Sequence, residues 1–318
     1  MSQINFLGVL QARSAVYRHM RPSPLLRHPL LSEALGFECY VKHENHNPTG
    51  AFKIRGGLNF VAGFAASQPG RGIISATRGN HGQSLALASR LYGVPCTIVV
   101  PLGNNPEKNE AMRANGAQLI EYGRDFDEAR VHAMQLQQQQ GHYFVSPGDE
   151  PALIHGVGTY ALEIFEELAD VQSIIVPLGG GSGVCGTLAV AAAINPQVEV
   201  FAVQAENAPS IYLSWKKGEP VETATSVTFA DGLATRVPFR LPFEYLKDRV
   251  TEIVLVSEEE MRRAVLTMWQ CTHNLAEGAG AAPLAAACRL RDRLAGRKVV
   301  LVLSGGNIDL ATLRWVLS

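Results

Sequence analysis

His46-Asn47-Pro48-Thr49-Gly50-Ala51-Phe52-Lys53-Ile54-Arg55-Gly56-Gly57 places one lysine between an extended run containing Pro48 and Gly50 and an apolar helical pattern. Ile54, Leu58, Val61 and Ala65 recur at helical spacing until Pro69-Gly70 stops them, so Lys53 stands at a helix start. The only other charge in the stretch is Arg55. A lysine that is partly desolvated and close to another cation is driven toward its neutral amine, the form that condenses with an aldehyde. On its own the stretch fits an ordinary surface lysine at a helix start better. Three further stretches change that reading.

Ser75-Ala76-Thr77-Arg78-Gly79-Asn80-His81-Gly82-Gln83 follows an apolar strand pattern and opens a helix. Leu178-Gly179-Gly180-Gly181-Ser182-Gly183 follows the strand-like run at 173–176 and precedes an alanine-rich helix. Ser304-Gly305-Gly306-Asn307-Ile308-Asp309 follows the strand-like run at 298–303. Together with the lysine stretch these segments resemble the fold-type II pyridoxal-phosphate enzymes, nearest the threonine/serine dehydratase and serine racemase branch. The resemblance keeps the family's motif order and spacing over nearly the whole chain. Ala230-Asp231-Gly232-Leu233-Ala234 and Ala276-Glu277-Gly278-Ala279-Gly280-Ala281 are further family-like turns.

Composition is compatible with this. The 318 residues are 47% hydrophobic and 18% charged, with 28 Lys plus Arg against 29 Asp plus Glu. That describes a globular chain of about two lobes with no basic excess to follow a phosphate backbone, so nucleic acid is not an expected partner. The N-terminus has no basic region before an apolar run, and no segment reaches a membrane-spanning length without polar interruption. A cytoplasmic protein is expected. Five scattered cysteines, without paired spacing, read as reduced and largely buried.

The pattern along the chain alternates strands with helices. Strands are expected at 38–42, 72–76, 96–100, 118–122, 142–145, 173–176, 198–204 and 298–303. Helices are expected after Lys53, from about 82, after Pro106, from about 125, near 158–169, after the glycine loop and from 257. The last has a Ser257/Glu260 capping box. Residues 225–243 look irregular, and the glutamines at 137–140 read as an exposed helix end. The alternation predicts an α/β fold with mostly parallel sheets covered on both faces. The family resemblance sharpens this to a tryptophan synthase β-like fold of two lobes, each with a mostly parallel sheet flanked by helices. A small lobe at 49–145 is set into a large lobe made of 1–48 and 146–318, a homodimer is expected, and a C-terminal regulatory domain is not.

The resemblance implies site residues one by one. Lys53 holds pyridoxal 5'-phosphate as a Schiff base and serves as the base at the α-carbon. Gly179, Gly180, Gly181, Ser182 and Gly183 bind the cofactor phosphate through backbone N–H groups at a helix N-terminus. Asn80 bonds the phenolic oxygen, Ser304 faces the pyridine nitrogen, and Phe52 and Glu277 complete the cofactor contacts. Thr77, Arg78, Gly79, Asn80 and His81 form the loop that meets the substrate. A glycine-rich strand-to-helix turn also occurs in dinucleotide sites, but the full Gly-x-Gly-x-x-Gly with a downstream acid is missing.

Departures from the family pattern also carry information. Ala51 replaces the usual serine. Arg78 stands where serine or alanine is usual, and its basicity disfavours efficient racemisation. It has two open roles. It can stabilise the anionic intermediate through the cofactor's phenolic oxygen or the α-carboxylate, or it can pair with an acidic substrate side chain. Gln204 and Ser210 stand where the branch often has the carboxylates of a divalent-cation site, so no metal is expected, although Glu206 lies nearby. The implied activity is an ammonia-lyase dehydrating a β-hydroxy-α-amino acid of the threonine, serine, phenylserine or 3-hydroxyaspartate type. The alternatives are β-replacement of the cysteine-synthase type and a catalytically silent cofactor-binding protein.

Overall fold

The computed structural model describes residues 3–318. Ten strands fall into two sheets. They are β1 (Leu25–Arg27), β2 (Glu38–His43), β3 (Ile73–Ala76), β4 (Cys96–Val100), β5 (Gln118–Glu121), β6 (Tyr143–Phe144), β7 (Ser173–Pro177), β8 (Glu199–Ala205), β9 (Glu252–Val256) and β10 (Lys298–Leu303). The larger sheet runs β1-β2-β10-β7-β8-β9 and the smaller β5-β4-β3-β6. Every neighbouring pair is parallel except the edge pair β1 and β2. The larger sheet therefore draws on both ends of the chain, while the smaller is built between residues 73 and 144.

Central strands are mostly apolar because helices cover both faces. All five residues of β7 and of β4 are buried, whereas β5, at an edge, is half exposed. Successive strand residues point to opposite sides. Ile174, Val176, Val300 and Val302 pack under the helices Pro151–Glu167 and Ser182–Ile194, and Ile175, Val299, Leu301 and Leu303 under Gly278–Arg289 and Glu258–Thr272. The register Leu301↔Val41 and Leu301↔Ile175 places the carboxyl ends of β2, β10 and β7 side by side. The lysine stretch, the Ser304 turn and the glycine loop leave the sheet there.

Most expected elements form close to where the sequence puts them, including the Ser257/Glu260 capping box. Two expectations are corrected. The helix expected from 158 begins at Pro151, because Pro151 sits at its first position and Glu150 accepts a hydrogen bond from the Ala152 N–H. The irregular segment at 225–243 contains a short 3₁₀ turn, Asp231–Leu233, and runs into the helix Arg240–Leu246. Among the described residues no helix is long and apolar enough to cross a membrane. Cys39, Cys96 and Cys185 are buried and Cys288 is exposed.

Candidate active site

A cavity of about 670 Å³ opens between the two sheets, lined by Lys53, the 77–81 loop, the 179–183 loop, Glu277 and Ser304. Four separate stretches of sequence thus meet at one place. Backbone pairing fixes the lysine stretch against the late turn: Phe52 N–H donates to Ser304 O (2.9 Å), Gly306 N–H donates to Gly50 O (2.9 Å), and Ala51 bridges Gly305. Ala51 is fully buried there, so the departure from serine fills a closed position.

Lys53 is the first residue of the helix Lys53–Ser67, and its Nζ donates to Ser182 Oγ at 2.8 Å. Burial lowers the amine's pKa to about 8. The expectation that Arg55 helps in this is corrected. The Arg55 guanidinium turns away into a buried cluster, 2.7 Å from Glu44 and 2.6 Å from Glu163, and its charge is answered there. Desolvation alone acts on Lys53. The same cluster holds the first turn of the lysine's helix in place, with Lys42 Nζ 2.7 Å from Glu163.

Two glycines of the loop, Gly179 and Gly181, leave no room for a side chain. A Cβ on Gly179 would lie 1.9 Å from Gly232 O, which ties the loop to the Ala230–Ala234 turn, and Gly181 takes φ +88°. Ser182 begins the helix Ser182–Ile194, whose first N–H groups have no intrahelical acceptor. Phe52 lies with Lys53 Nζ 5.0 Å from its ring centroid and meets Tyr160 edge-on.

Asn80 is held on both sides of its amide. Its Oδ1 accepts from Asn307 Nδ2 (2.8 Å), and its Nδ2 donates to Glu277 Oε1 (2.7 Å). Asn307 Nδ2 also donates to Thr49 O at 2.8 Å. One Asn80 N–H remains for a ligand. Burial raises the Glu277 carboxyl's pKa, against the pull of Lys108 and the Asn80 hydrogen bond. Ser304 is buried, and its hydroxyl has no hydrogen-bond partner among the described residues.

In the 77–81 loop, Thr77 Oγ1 accepts from the Gly79 N–H (3.0 Å). A Cβ on Gly79 would lie 2.7 Å from Lys108 Cδ. His81 is committed elsewhere: its Nε2 is 3.0 Å from Ser75 Oγ, whose own hydrogen goes to Val145 O, so the imidazole donates. Burial, then the charge of Lys53, pushes its pKa down to about 3, leaving it a neutral packing group. Arg78 lines the cavity, and its Nε is buried without an acceptor.

Sequence reasoning missed Lys108, Asp231 as its partner, and Asn307 as a clamp. Lys108 Nζ is 2.7 Å from Asp231 Oδ2, and both line the cavity. Burial alone would lower the lysine's pKa, but Glu277 and Asp231 outweigh it and raise it. A lysine in the first turn of a helix opposes the helix dipole, and that misfit was the available signal. At the stretch read for a metal, Gln204 Oε1 accepts from Tyr212 N–H, Ser210 Oγ donates to Thr235 O, and Glu206 pairs with Arg289. Among the described residues no three metal-ligating side chains gather.

The chain belongs to the pyridoxal-phosphate dependent enzyme family, whose model matches residues 16–305. The fold is that of its fold-type II members, and the chain is accordingly pyridoxal-phosphate dependent. It is 41% identical to an L-threonine ammonia-lyase of Geobacter sulfurreducens, over 96% of this chain and 76% of that protein. It is 33% identical to the L-threonine dehydratase catabolic TdcB of Escherichia coli strain K12, over 95% and 93%. The solved structure of maize serine racemase superposes with a TM-score of 0.94 at 26% identity, covering 99% of this chain and 97% of that one.

The residues present fit the cofactor. The amine with lowered pKa matches an aldehyde, the glycine-rich loop at a helix N-terminus matches a phosphate, and the clamped Asn80 N–H matches an oxyanion.

Proposed function

We propose that this chain is an ammonia-lyase that removes water from a β-hydroxy-α-amino acid and releases a 2-oxo acid and ammonia. The observation that carries the proposal is the Lys53 amine, brought by burial to a pKa of about 8 and hydrogen-bonded to Ser182 at the head of the glycine loop. The names of the Geobacter and Escherichia relatives support the same reaction class.

In this reading Lys53, Phe52, Asn80, Glu277, Ser304 and the loop from Gly179 through Gly183 hold pyridoxal 5'-phosphate. The bound cofactor supplies an electron sink for charge developing at the substrate's α-carbon. Lys53 Nζ takes the α-proton, with Ser182 Oγ receiving a hydrogen bond from it and fixing its approach. Asn307 and Glu277 hold the Asn80 amide in one orientation, so its remaining N–H meets the oxyanion without reorganisation. Ser304 presents a neutral hydroxyl in place of a carboxylate, a setting that favours β-elimination over transamination. Thr77, Gly79 and the backbone at the start of the Asn80–Tyr92 helix receive the α-carboxylate. Departure of the β-hydroxyl as water leaves an enamine, which hydrolyses to the oxo acid and ammonia. The reading includes the two-lobe division with 49–145 as the smaller lobe, a homodimer and a cytoplasmic location.

The test is incubation of purified holoenzyme with threonine, serine, phenylserine and 3-hydroxyaspartate separately, with oxo acid and ammonia both measured. Equimolar release from one of them without added nucleophile is the expected result. Product appearing only with an added thiol or amine nucleophile would replace the lyase by a β-replacement enzyme.

A further inference from the structure

We propose that Arg78 receives a second carboxylate, so that the substrate is a β-hydroxy amino acid with an acidic side chain. The proposal rests on the lyase reading of the site. It begins from the charges on the cavity wall. Lys108 is paired with Asp231, and Arg236 with Asp127 and Glu222. Arg130 also has a buried Nε without a hydrogen-bond acceptor, but its charge lies 4.0 Å from the same Asp127, and Arg240 is exposed to water. Lys53 is spoken for by the cofactor. Arg78 alone combines a place on the wall, no ion pair or hydrogen bond among the described residues, and a buried Nε without an acceptor. Arg78 as a whole is half-buried and only its Nε–H is shut off from water, so an anion in the cavity would give that donor the acceptor it lacks.

The other anions of the complex already have receptors. The glycine loop, backed by the Ser182–Ile194 helix, answers the phosphate, and the free Asn80 N–H answers the phenolic oxygen. The α-carboxylate has the backbone at the N-terminus of the Asn80–Tyr92 helix. A threonine, serine or phenylserine side chain brings no further negative charge. A 3-hydroxy dicarboxylic amino acid does, and a planar guanidinium recognises a carboxylate through two parallel hydrogen bonds.

The experiment compares kcat/KM of the holoenzyme on the stereoisomers of 3-hydroxyaspartate with that on threonine and serine, for the wild type, Arg78→Ser and Arg78→Lys. Retention of the cofactor's visible band and of the melting temperature certifies each variant as folded. The wild type is expected to prefer one hydroxyaspartate isomer by roughly a hundredfold or more over threonine. Arg78→Ser is expected to lower the ratio of kcat/KM on hydroxyaspartate to that on threonine by about that factor, with Arg78→Lys in between. A wild type that deaminates threonine or serine and not hydroxyaspartate overturns the proposal and leaves the lyase reading standing. Equal loss on every substrate in Arg78→Ser also overturns it, because Arg78 then serves the cofactor or the α-carboxylate. An intact cofactor band with no oxo acid from any substrate refutes the lyase reading, and this proposal with it.

Discussion

Replacing Glu163 by glutamine removes one charge from the cluster that seats the catalytic helix, and its cost can be worked out from the contacts. Lys42 and Arg55 face Glu44 and Glu163, all four side chains essentially inaccessible to water, and the half-exposed Glu167 stands 3.9 Å from Lys42 at the rim. Glu163 accepts from Arg55 Nη1 (2.6 Å) and Nη2 (2.8 Å), Lys42 Nζ (2.7 Å), the Tyr17 hydroxyl (2.7 Å) and the Ser23 N–H (3.1 Å). Both carboxylate oxygens face only donors. A glutamine in either flip therefore turns an NH₂ toward donors and leaves two buried cations against Glu44 alone, answered further only by the half-exposed Glu167 at 3.9 Å from Lys42. Breaking a buried pair in this way costs about 3–5 kcal/mol.

The control is Glu166→Gln, which loses a half-exposed pair with Arg13 (2.9 Å) and should cost no more than about 0.5 kcal/mol. Urea unfolding of the two holoenzyme variants beside the wild type measures both. A loss below about 1 kcal/mol in Glu163→Gln would refute the claim that the cluster is a dry, fully paired anchor. The pH dependence follows the same contacts. Burial alone would raise the Glu163 pKa, but Arg55 and then Lys42 outweigh it and hold it below the usual carboxylate range. A depressed acid contributes stability above its unfolded pKa and loses it as pH falls through the folded one. The wild type should accordingly lose stability on acidification below the ordinary glutamate range, and Glu163→Gln should lack that part of the acid slope.

Two further outcomes follow from the site. The rate at which cofactor-free protein takes up pyridoxal phosphate should rise with pH to a plateau with a midpoint near 8, since Lys53 reacts only as the neutral amine; a midpoint near the ordinary lysine value of 10.5, read from the growth of visible absorbance, would contradict the lowered pKa. Gly179→Ala should cost cofactor affinity at least tenfold in an absorbance titration, because its Cβ would lie 1.9 Å from the backbone oxygen of Gly232, and unchanged affinity would show that the loop can shift freely.

What the sequence made legible was local. Gly93 at a helix end with φ +67°, Ser257 capped by Glu260, and the mostly apolar β4 and β7 each follow from a few neighbouring residues. The four motifs carried the site because each is short and contiguous, and the strand ends bring them together. What escaped depends on distant partners. The side chain of Arg55 is two residues from Lys53 in sequence, yet its charge is answered by Glu44, 11 residues away, together with Glu163, 108 residues away. Lys108 and Asp231 are 123 apart, and nothing in either neighbourhood names the other. His81, expected in the substrate loop, turns to Ser75 because the strand before it offers an acceptor that the loop pattern does not reveal. The Pro151 helix start was a local signal that the reading passed over, with a proline at the first position and an acid before it.

The central claim is that Lys53 carries the cofactor. The direct measurement is borohydride reduction of the holoenzyme followed by peptide mass mapping, which fixes the cofactor onto whichever amine holds it. The account predicts the added mass on the peptide containing Lys53 and on no other. Mass found on Lys108, the other lysine on the cavity wall, or no adduct in a protein that retains its visible band, would contradict it.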